Sequence, residues 1–174
     1  MINCWSPSTL FHFRAIWLIA ICVWLAVASF PVLAAPVDTP FSAMQGSWSG
    51  TGTIILSNGA KERIRCRAND RLSSSNMELR LELNCDSDSY NFNLQSQIIY
   101  RDGTLSGNWY ESTRATGGSV SGRIVGNQVQ VRAEGQTFAA ILSLTTRGDR
   151  QSISIQSPGS EMSDVAITLI RKSR

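Results

Sequence analysis

Histidine is nearly absent from this sequence of 174 residues, and its one occurrence is His12. Without an imidazole in its main body, the chain lacks the usual general base, the partner for a serine or cysteine triad, and the commonest ligand for zinc or haem iron. Lysine stands at Lys61 and Lys172 alone, and charged residues make up 17% of the chain. Runs of basic residues are missing too. We therefore expect no metal, no cofactor and no nucleic-acid partner.

Long apolar runs are also lacking, with one exception. Residues 15–30 form an unbroken apolar segment that follows Arg14, and Ala34 precedes the expected cleavage point. A short basic region, an apolar core and small residues before a cleavage point are the parts of a secretory signal peptide. We predict a signal peptide over residues 1–34, removed on export, after which no membrane span remains. An uncleaved anchor is the alternative, but Ser29, Pro31 and the lack of a second basic flank argue against a membrane-spanning helix.

The chain after the leader has the composition of one soluble domain. Removal of the leader takes away one of the 16 basic residues and none of the 13 acidic ones, which leaves a net charge of about +2. Residues 35–44 contain Pro36 and Pro40 and are expected to be a flexible lead-in. Residues 45–174 are then a single domain, long enough to bury a core.

Apolar and polar residues alternate through this domain with almost no helical periodicity, which is typical of antiparallel strands. Turn signals interrupt the alternation at Asn58-Gly59, Asp102-Gly103, Gly117-Gly118, Gly126-Asn127 and Gly148-Asp149. The pattern predicts an all-β fold, an up-and-down meander of about ten strands. Closing the meander into a β-barrel would bury its apolar face and remove its edges. A two-sheet sandwich is the alternative.

Two cysteines remain after the leader, Cys66 and Cys85. In an oxidising compartment we expect them to form a disulfide. A hairpin centred between Ser75 and Asn76 places them directly opposite each other, within bridging distance if the pair is a narrow one. The bridge is therefore expected to be structural and to lie on the inner face.

Arginines alternate along one segment and so share the face of one strand. They are Arg63, Arg65, Arg67 and, four residues on, Arg71. One interpretation is a surface for anionic partners such as lipid head groups, phosphates or acidic polysaccharide. The other, which we favour, is a solvated outer face paired with local acids such as Glu82 and Asp86.

The stretch from Gly46 to Gly52 reads GSWSGTG and resembles the glycine-x-tryptophan opening of lipocalin-like barrels, in the extended GxWxGxG form of nitrobindin-type domains. The segments RIRCRA, LSGNWYESTR and SVSGRIVGNQ are similar to small exported proteins of alphaproteobacteria, of the rhizobial type, without assigned function. This resemblance implies a Gram-negative cell and hence the periplasm. Nitrobindin-type barrels bind haem through a histidine near the C-terminus, which this chain lacks.

Small residues at inward positions predict space inside the barrel. Gly50, Gly52, Ala68, Ser96, Gly107, Gly122 and Ala140 would leave volume, and the expected lining is Trp48, Tyr90, Phe92, Tyr100, Trp109 and Phe138. The leading hypothesis is a non-enzymatic binding module for a small apolar or amphipathic ligand. If the small residues merely permit curvature around a solid interior, the protein is instead a structural or interaction partner of envelope components.

Catalysis would have to depend on carboxylates. The inward parity assigns Glu62, Asp70 and Glu111 to the cavity side or its rim, where two of them could act as acid and base on a glycoside. The alternation assigns no arginine to an inward position. The sequence leaves the identity of the ligand and the oligomeric state open.

Overall fold

The computed structural model describes residues 40–136 and 139–173, and this part of the chain forms ten antiparallel strands. Their bounds are β1 Gly46–Leu56, β2 Lys61–Leu72, β3 Glu78–Asp86, β4 Asn91–Arg101, β5 Thr104–Glu111, β6 Thr116–Val125, β7 Gln128–Gly135, β8 Ala139–Arg147, β9 Arg150–Gln156 and β10 Met162–Arg171. The predicted signal peptide and its cleavage point lie outside the described residues, and so does Phe138.

Each strand pairs with the next along the chain, and β1 pairs with β10, so the sheet closes on itself. The predicted up-and-down barrel of lipocalin-like type is thereby confirmed, and the sandwich is not. Alternation explains the closure, because one face of nearly every strand is apolar and must be buried. In β2, for example, Ile64, Cys66 and Ala68 are buried while Arg63, Arg65 and Arg67 are exposed.

The β2–β3 hairpin has the predicted register. Cys66 faces Cys85 across the two strands, and their sulfur atoms are bonded at 2.11 Å. Both cysteines are buried within the hydrophobic core, as expected for a structural bridge. On the outer face, Arg65 Nε lies 3.9 Å from Asp86 Oδ2, and Arg71 Nη1 lies 3.7 Å from Glu82 Oε1. These contacts match the solvated interpretation for two of the four arginines.

A plug closes one end of the barrel, and part of it was expected to be flexible. Residues 40–44 form a turn in which Phe41 and Met44 are buried, with exposures of 0% and 4%. The Trp48 indole donates from Nε1 to the carbonyl oxygen of Met44 at 2.9 Å, and the Arg171 guanidinium lies 4.0 Å from the centroid of the indole ring. Two residues of the predicted lead-in, Phe41 and Met44, therefore pack at this end of the barrel, which we call the closed end, whereas Ser42 and Ala43 are exposed.

The turn predicted at Gly117-Gly118 is displaced. Both glycines lie inside β6, and residues 112–115 make the turn. The carboxylate of Glu111 stabilises it by accepting from the backbone N–H groups of Thr113 and Arg114 at 3.0 and 2.9 Å. A buried carboxylate thus replaced the expected glycines as the turn-forming element.

The small residues of the GxWxGxG motif permit close approach of strands. A Cβ on Gly50 would lie 2.0 Å from the carbonyl oxygen of Thr168 in β10, and Gly46 has a φ of 139° that favours glycine. Gly52, Gly107 and Gly122 are in similar positions against neighbouring backbone. The expectation that these glycines supply cavity volume is therefore wrong, and curvature explains them. Within the described residues, no helix has the length and apolar character needed to cross a bilayer.

Candidate functional site

The barrel encloses a cavity of about 560 Å³. Its lining extends from Met44 at the closed end to Ser157 and Glu161 at the β9–β10 turn, so it spans most of the length of the barrel. The wall between is almost entirely aliphatic and is contributed by every strand, with Ile64, Leu83, Ile98, Val129, Leu144 and Ile153 among its members. A volume of this size with an apolar wall suits a small organic ligand.

Three of the predicted lining aromatics meet in this cavity. Tyr90, Phe92 and Trp109 all contribute to its wall, as do Ser96 and Ala140 among the small residues expected to leave space. Trp48 lies at the closed end and Tyr100 packs against the core near the β4–β5 turn, so neither of these two predicted residues lines the cavity. Inward parity gives the side of the sheet on which a residue lies, but it does not tell how far along the barrel axis the residue sits.

The polar residues of the lining gather at the end opposite the plug, which we call the mouth. Arg114 and Glu161 both line the cavity and are exposed, so the cavity reaches the surface there. The Tyr90 hydroxyl donates to Glu161 Oε1 at 2.7 Å. That bond and the negative charges of Glu161 and Glu62 raise the pKa of Tyr90, with burial contributing, so the phenol stays protonated.

Arg114 lines the cavity, although the alternation assigned no arginine to an inward position. Its Nη1 lies 3.5 Å from Glu111 Oε2 and donates to the carbonyl oxygen of Asn91 at 3.3 Å. The position follows from the turn, since Glu111 binds both the backbone N–H and the side chain of Arg114. The turn at the end of β5 therefore places one guanidinium at the mouth.

Glu111 itself is buried and fully engaged. Its Oε1 accepts from the backbone N–H groups of Asn93 and Thr113, each at 3.0 Å, and from the Thr113 hydroxyl. Burial alone would raise the pKa of Glu111, but the hydrogen bonds from Thr113, Asn93 and Arg114 outweigh it and hold the pKa below its ordinary value. An ionised group with this many partners is a turn organiser and a poor proton donor.

The three carboxylates considered for catalysis are not gathered at one place in the barrel. Asp70 is buried at the closed end, where Gly46 is its partner on β1, whereas Glu111 lies at the mouth. Glu62 accepts from the backbone N–H of Ser89 at 2.9 Å, and its hydrogen bonds to Ser87 and Ser89 lower its pKa. In residues 40–136 and 139–173 there is also no cluster of three or more histidine, cysteine or acidic residues that could hold a metal ion.

Asp70 belongs to a buried polar cluster beneath the cavity. Gln151 Nε2 donates to Asp70 Oδ2 at 2.9 Å, and the two residues are 0–1% exposed. Burial raises the pKa of Asp70 to about 7, although the hydrogen bond from Gln151 and the charge of Arg171 act against it. Asp70 Oδ1, Gln151 Oε1 and the hydroxyl of Thr146, the cross-strand partner of Gln151, lack hydrogen-bond partners in the described chain.

Sequence reasoning missed Arg114, Glu161 and Met44 as lining residues. A signal for Met44 was present, since Phe41 and Met44 are apolar residues three apart just before the tryptophan motif. Arg114 and Glu161 lie in turns, where alternation gives no information on direction.

No model of a known protein family matches this chain, and no curated protein matches it. Several solved structures share its fold, among them the two that follow. The crystal structure of Rv2717c from M. tuberculosis aligns with a TM-score of 0.62 and 16% identity, over 80% of this chain and 99% of that one. The S-type phycobiliprotein lyase CPES from Guillardia theta aligns with a TM-score of 0.55 and 12% identity, over 77% and 91%. At these identities the comparisons support the fold alone.

Proposed function

We propose that this protein is a periplasmic, non-enzymatic binding module that holds one small apolar or amphipathic molecule inside its barrel. The observation that carries the proposal is the cavity of about 560 Å³, with an aliphatic wall and polar residues at its mouth. An apolar body would lie along the wall, and a polar end group would meet Arg114, Tyr90 and Glu161. A solid barrel, the other hypothesis, is at odds with an interior space of this size.

Export is supported by two separate features. The apolar run at residues 15–30 has the form of a signal peptide, and the buried Cys66–Cys85 bridge is of the kind that persists in oxidising compartments. A binding role in place of catalysis is favoured by where the proton donor would be: Asp70, whose pKa is raised, lies at the closed end, whereas Glu62 and Glu111, whose pKa values are lowered, lie toward the mouth. One fold neighbour is named as a phycobiliprotein lyase. Chemical conversion of the bound molecule is therefore the alternative function that the experiment must distinguish from binding.

Native mass spectrometry of the protein purified from the periplasm tests the proposal. We expect a co-purifying small organic molecule, retained by Ala139→Phe and lost or strongly reduced in Ala140→Phe. Ala140 lines the cavity, whereas its neighbour Ala139 is exposed on the same strand, so the two variants differ in the side of the sheet that receives the phenyl ring.

Two results would contradict the proposal. A ligand-free mass in several preparations would show that no ligand is bound. Equal retention of the ligand by both variants would show that it does not bind in the cavity. The recovered compound, returned to protein stripped of it, should be released unaltered. Chemical conversion of that compound would favour an enzyme.

A further inference from the structure

A second concave surface lies on the outside of the barrel. It is a groove of about 720 Å³ across β1, β10, β9 and β8, with Arg63 of β2 at one side and Gln128 of β7 at the other. Seven hydroxyl side chains line it, and we call it the hydroxyl groove: Thr51, Thr53, Ser143, Thr145, Ser152, Ser154 and Thr168. These residues alternate with the core residues of their strands, so the groove is separated from the interior cavity by the sheet itself.

The strand register arranges these hydroxyls in two rows. One row runs through directly paired positions from Thr51 to Thr168, Ser152 and Thr145. The next row runs from Thr53 through Ala166 to Ser154 and Ser143. Neighbouring strands are about 4.8 Å apart and residues two apart on a strand about 6.6 Å apart, so the floor is a regular array of hydroxyl groups.

Most of this array is free to bind. Thr145 accepts a hydrogen bond from Gln128 Nε2 at 3.4 Å, whereas the other six hydroxyls make none within residues 40–136 and 139–173. Ser143 and Thr145 are half-buried although they face outward, which places them at the bottom of the groove. Each hydroxyl can both donate and accept.

Arginines border the groove on two sides. Arg63, Arg65 and Arg67 run along β2, and Arg147 faces Arg150 in the β8–β9 hairpin. Arg65 has an ion pair with Asp86. The other four have no ion pair in the part of the chain described here. Two acidic residues lie nearby: Asp164 on the same face of β10 toward the mouth, and Asp149 in the turn between Arg147 and Arg150, where it pairs with Arg171 at 3.3 Å. The border is therefore net positive, and guanidinium groups bind carboxylates in a bidentate manner.

We propose that the hydroxyl groove binds an acidic polysaccharide. Such a chain carries hydroxyl groups along its length, which can exchange hydrogen bonds with the floor, and carboxylates, which can meet the arginines at the border. Exposed Ile141 and Ile170 lie beyond the floor on β8 and β10, but the floor itself presents hydroxyl groups, and insertion of those groups into the apolar part of a bilayer would leave them unpaired. The site is independent of any ligand in the interior.

Binding of polygalacturonate and of neutral dextran of similar length to the protein from the periplasm tests this inference. We expect saturable binding of polygalacturonate that weakens as salt is raised, and none of dextran. The triple variant Arg63→Gln, Arg67→Gln, Arg150→Gln should weaken binding at least tenfold. Arg123→Gln is the matched control, because Arg123 is exposed on β6, outside the groove, and should bind as wild type does.

A second variant separates the floor from the charges. Thr51→Val with Thr168→Val keeps side-chain shape and strand preference but removes two adjacent hydroxyls, so it should weaken binding severalfold without altering the salt dependence. Unchanged affinity in both groove variants would overturn the inference. Preferential binding of vesicles containing anionic lipid, with no binding of polygalacturonate, would do so as well. Native mass spectra of the same variants should keep the interior ligand, so failure here is distinguishable from failure of the proposed function.

Discussion

At the scale of single residues, Asp70 and Gln151 are the most informative pair. They are fully buried and share one hydrogen bond, yet each keeps an oxygen with no partner in the described chain. Unpaired buried oxygens are costly, and a proton on Asp70 Oδ1 would supply the missing donor for Gln151 Oε1. An acid facing a primary amide can form two parallel hydrogen bonds in this way. We therefore expect Asp70 to be neutral in the folded protein over much of the acidic range.

This expectation makes stability depend on pH with a definite sign. The pKa of Asp70 is about 7 in the folded protein and near 4 in an unfolded chain, so the folded state binds the proton more tightly. The resulting stabilisation is fully present below pH 4 and is lost as the pH rises to about 7, with a ceiling of about 4 kcal/mol. Urea unfolding between pH 5 and pH 8 should show this decline.

Asp70→Asn is the matched variant for this measurement. Its amide donates and accepts as the protonated acid does, so its stability should change much less over the same pH range and exceed that of the wild type at pH 8. Parallel pH profiles of the two proteins would show that Asp70 is not the group responsible. Arg171 and Thr146, which lie near the pair, are unchanged in both proteins.

At the scale of elements, the β5–β6 turn shows how one buried side chain replaces a glycine turn. Glu111 holds three backbone N–H groups, a hydroxyl and the guanidinium of Arg114. Alternation places Glu111 inward correctly. It cannot reveal that the carboxylate serves the turn, because that role depends on Asn93 of the neighbouring strand and on the path of residues 112–115.

Glu111→Gln should destabilise the protein by about 1–3 kcal/mol, because an amide replaces one acceptor oxygen with a donor that faces N–H groups. The urea midpoint at pH 7 measures this effect. Glu161→Gln is the control at the same end of the barrel. Glu161 is exposed, so that variant should stay within about 0.5 kcal/mol of wild type. Equal midpoints for the two variants would contradict the assigned role of Glu111.

At the scale of the whole molecule, the decisive feature is closure between the first and last strands. β1 pairs with β10 over most of its length, and Gly50 lies where the carbonyl oxygen of Thr168 leaves no room for a Cβ. Closure removes both sheet edges and encloses the cavity. Because Gly50 permits the close approach of β1 and β10, the whole barrel depends on it.

Gly50→Ala should therefore destabilise the barrel by about 2 kcal/mol or more, since the added carbon would lie 2.0 Å from backbone and a strand must move. Thr51→Ala, on the outer face of the same strand, should cost less than about 1 kcal/mol. Thermal unfolding of the two variants side by side measures the difference. A Gly50→Ala protein as stable as Thr51→Ala would show that close approach at this position is not required.

The sequence by itself determined which face of each strand is buried and how near neighbours pair. Two-residue alternation encodes the side of a sheet, and the turn at Ser75 and Asn76 sets the register that joins Cys66 to Cys85. Three of the cavity aromatics followed from that parity alone. Local patterns are sufficient for these features because the interacting residues lie on one strand or on the two adjacent strands of one hairpin.

Only the tertiary structure decided which distant residues meet. Asp70 and Gln151 are 81 positions apart, and the hydroxyl groove draws its floor from strands at both ends of the chain. The packed Phe41 and the guanidinium at the mouth likewise depend on where the closed sheet ends. Periodicity specifies the direction of a side chain but not its height along the barrel axis or its neighbours around the circumference. Those are set when β1 and β10 join.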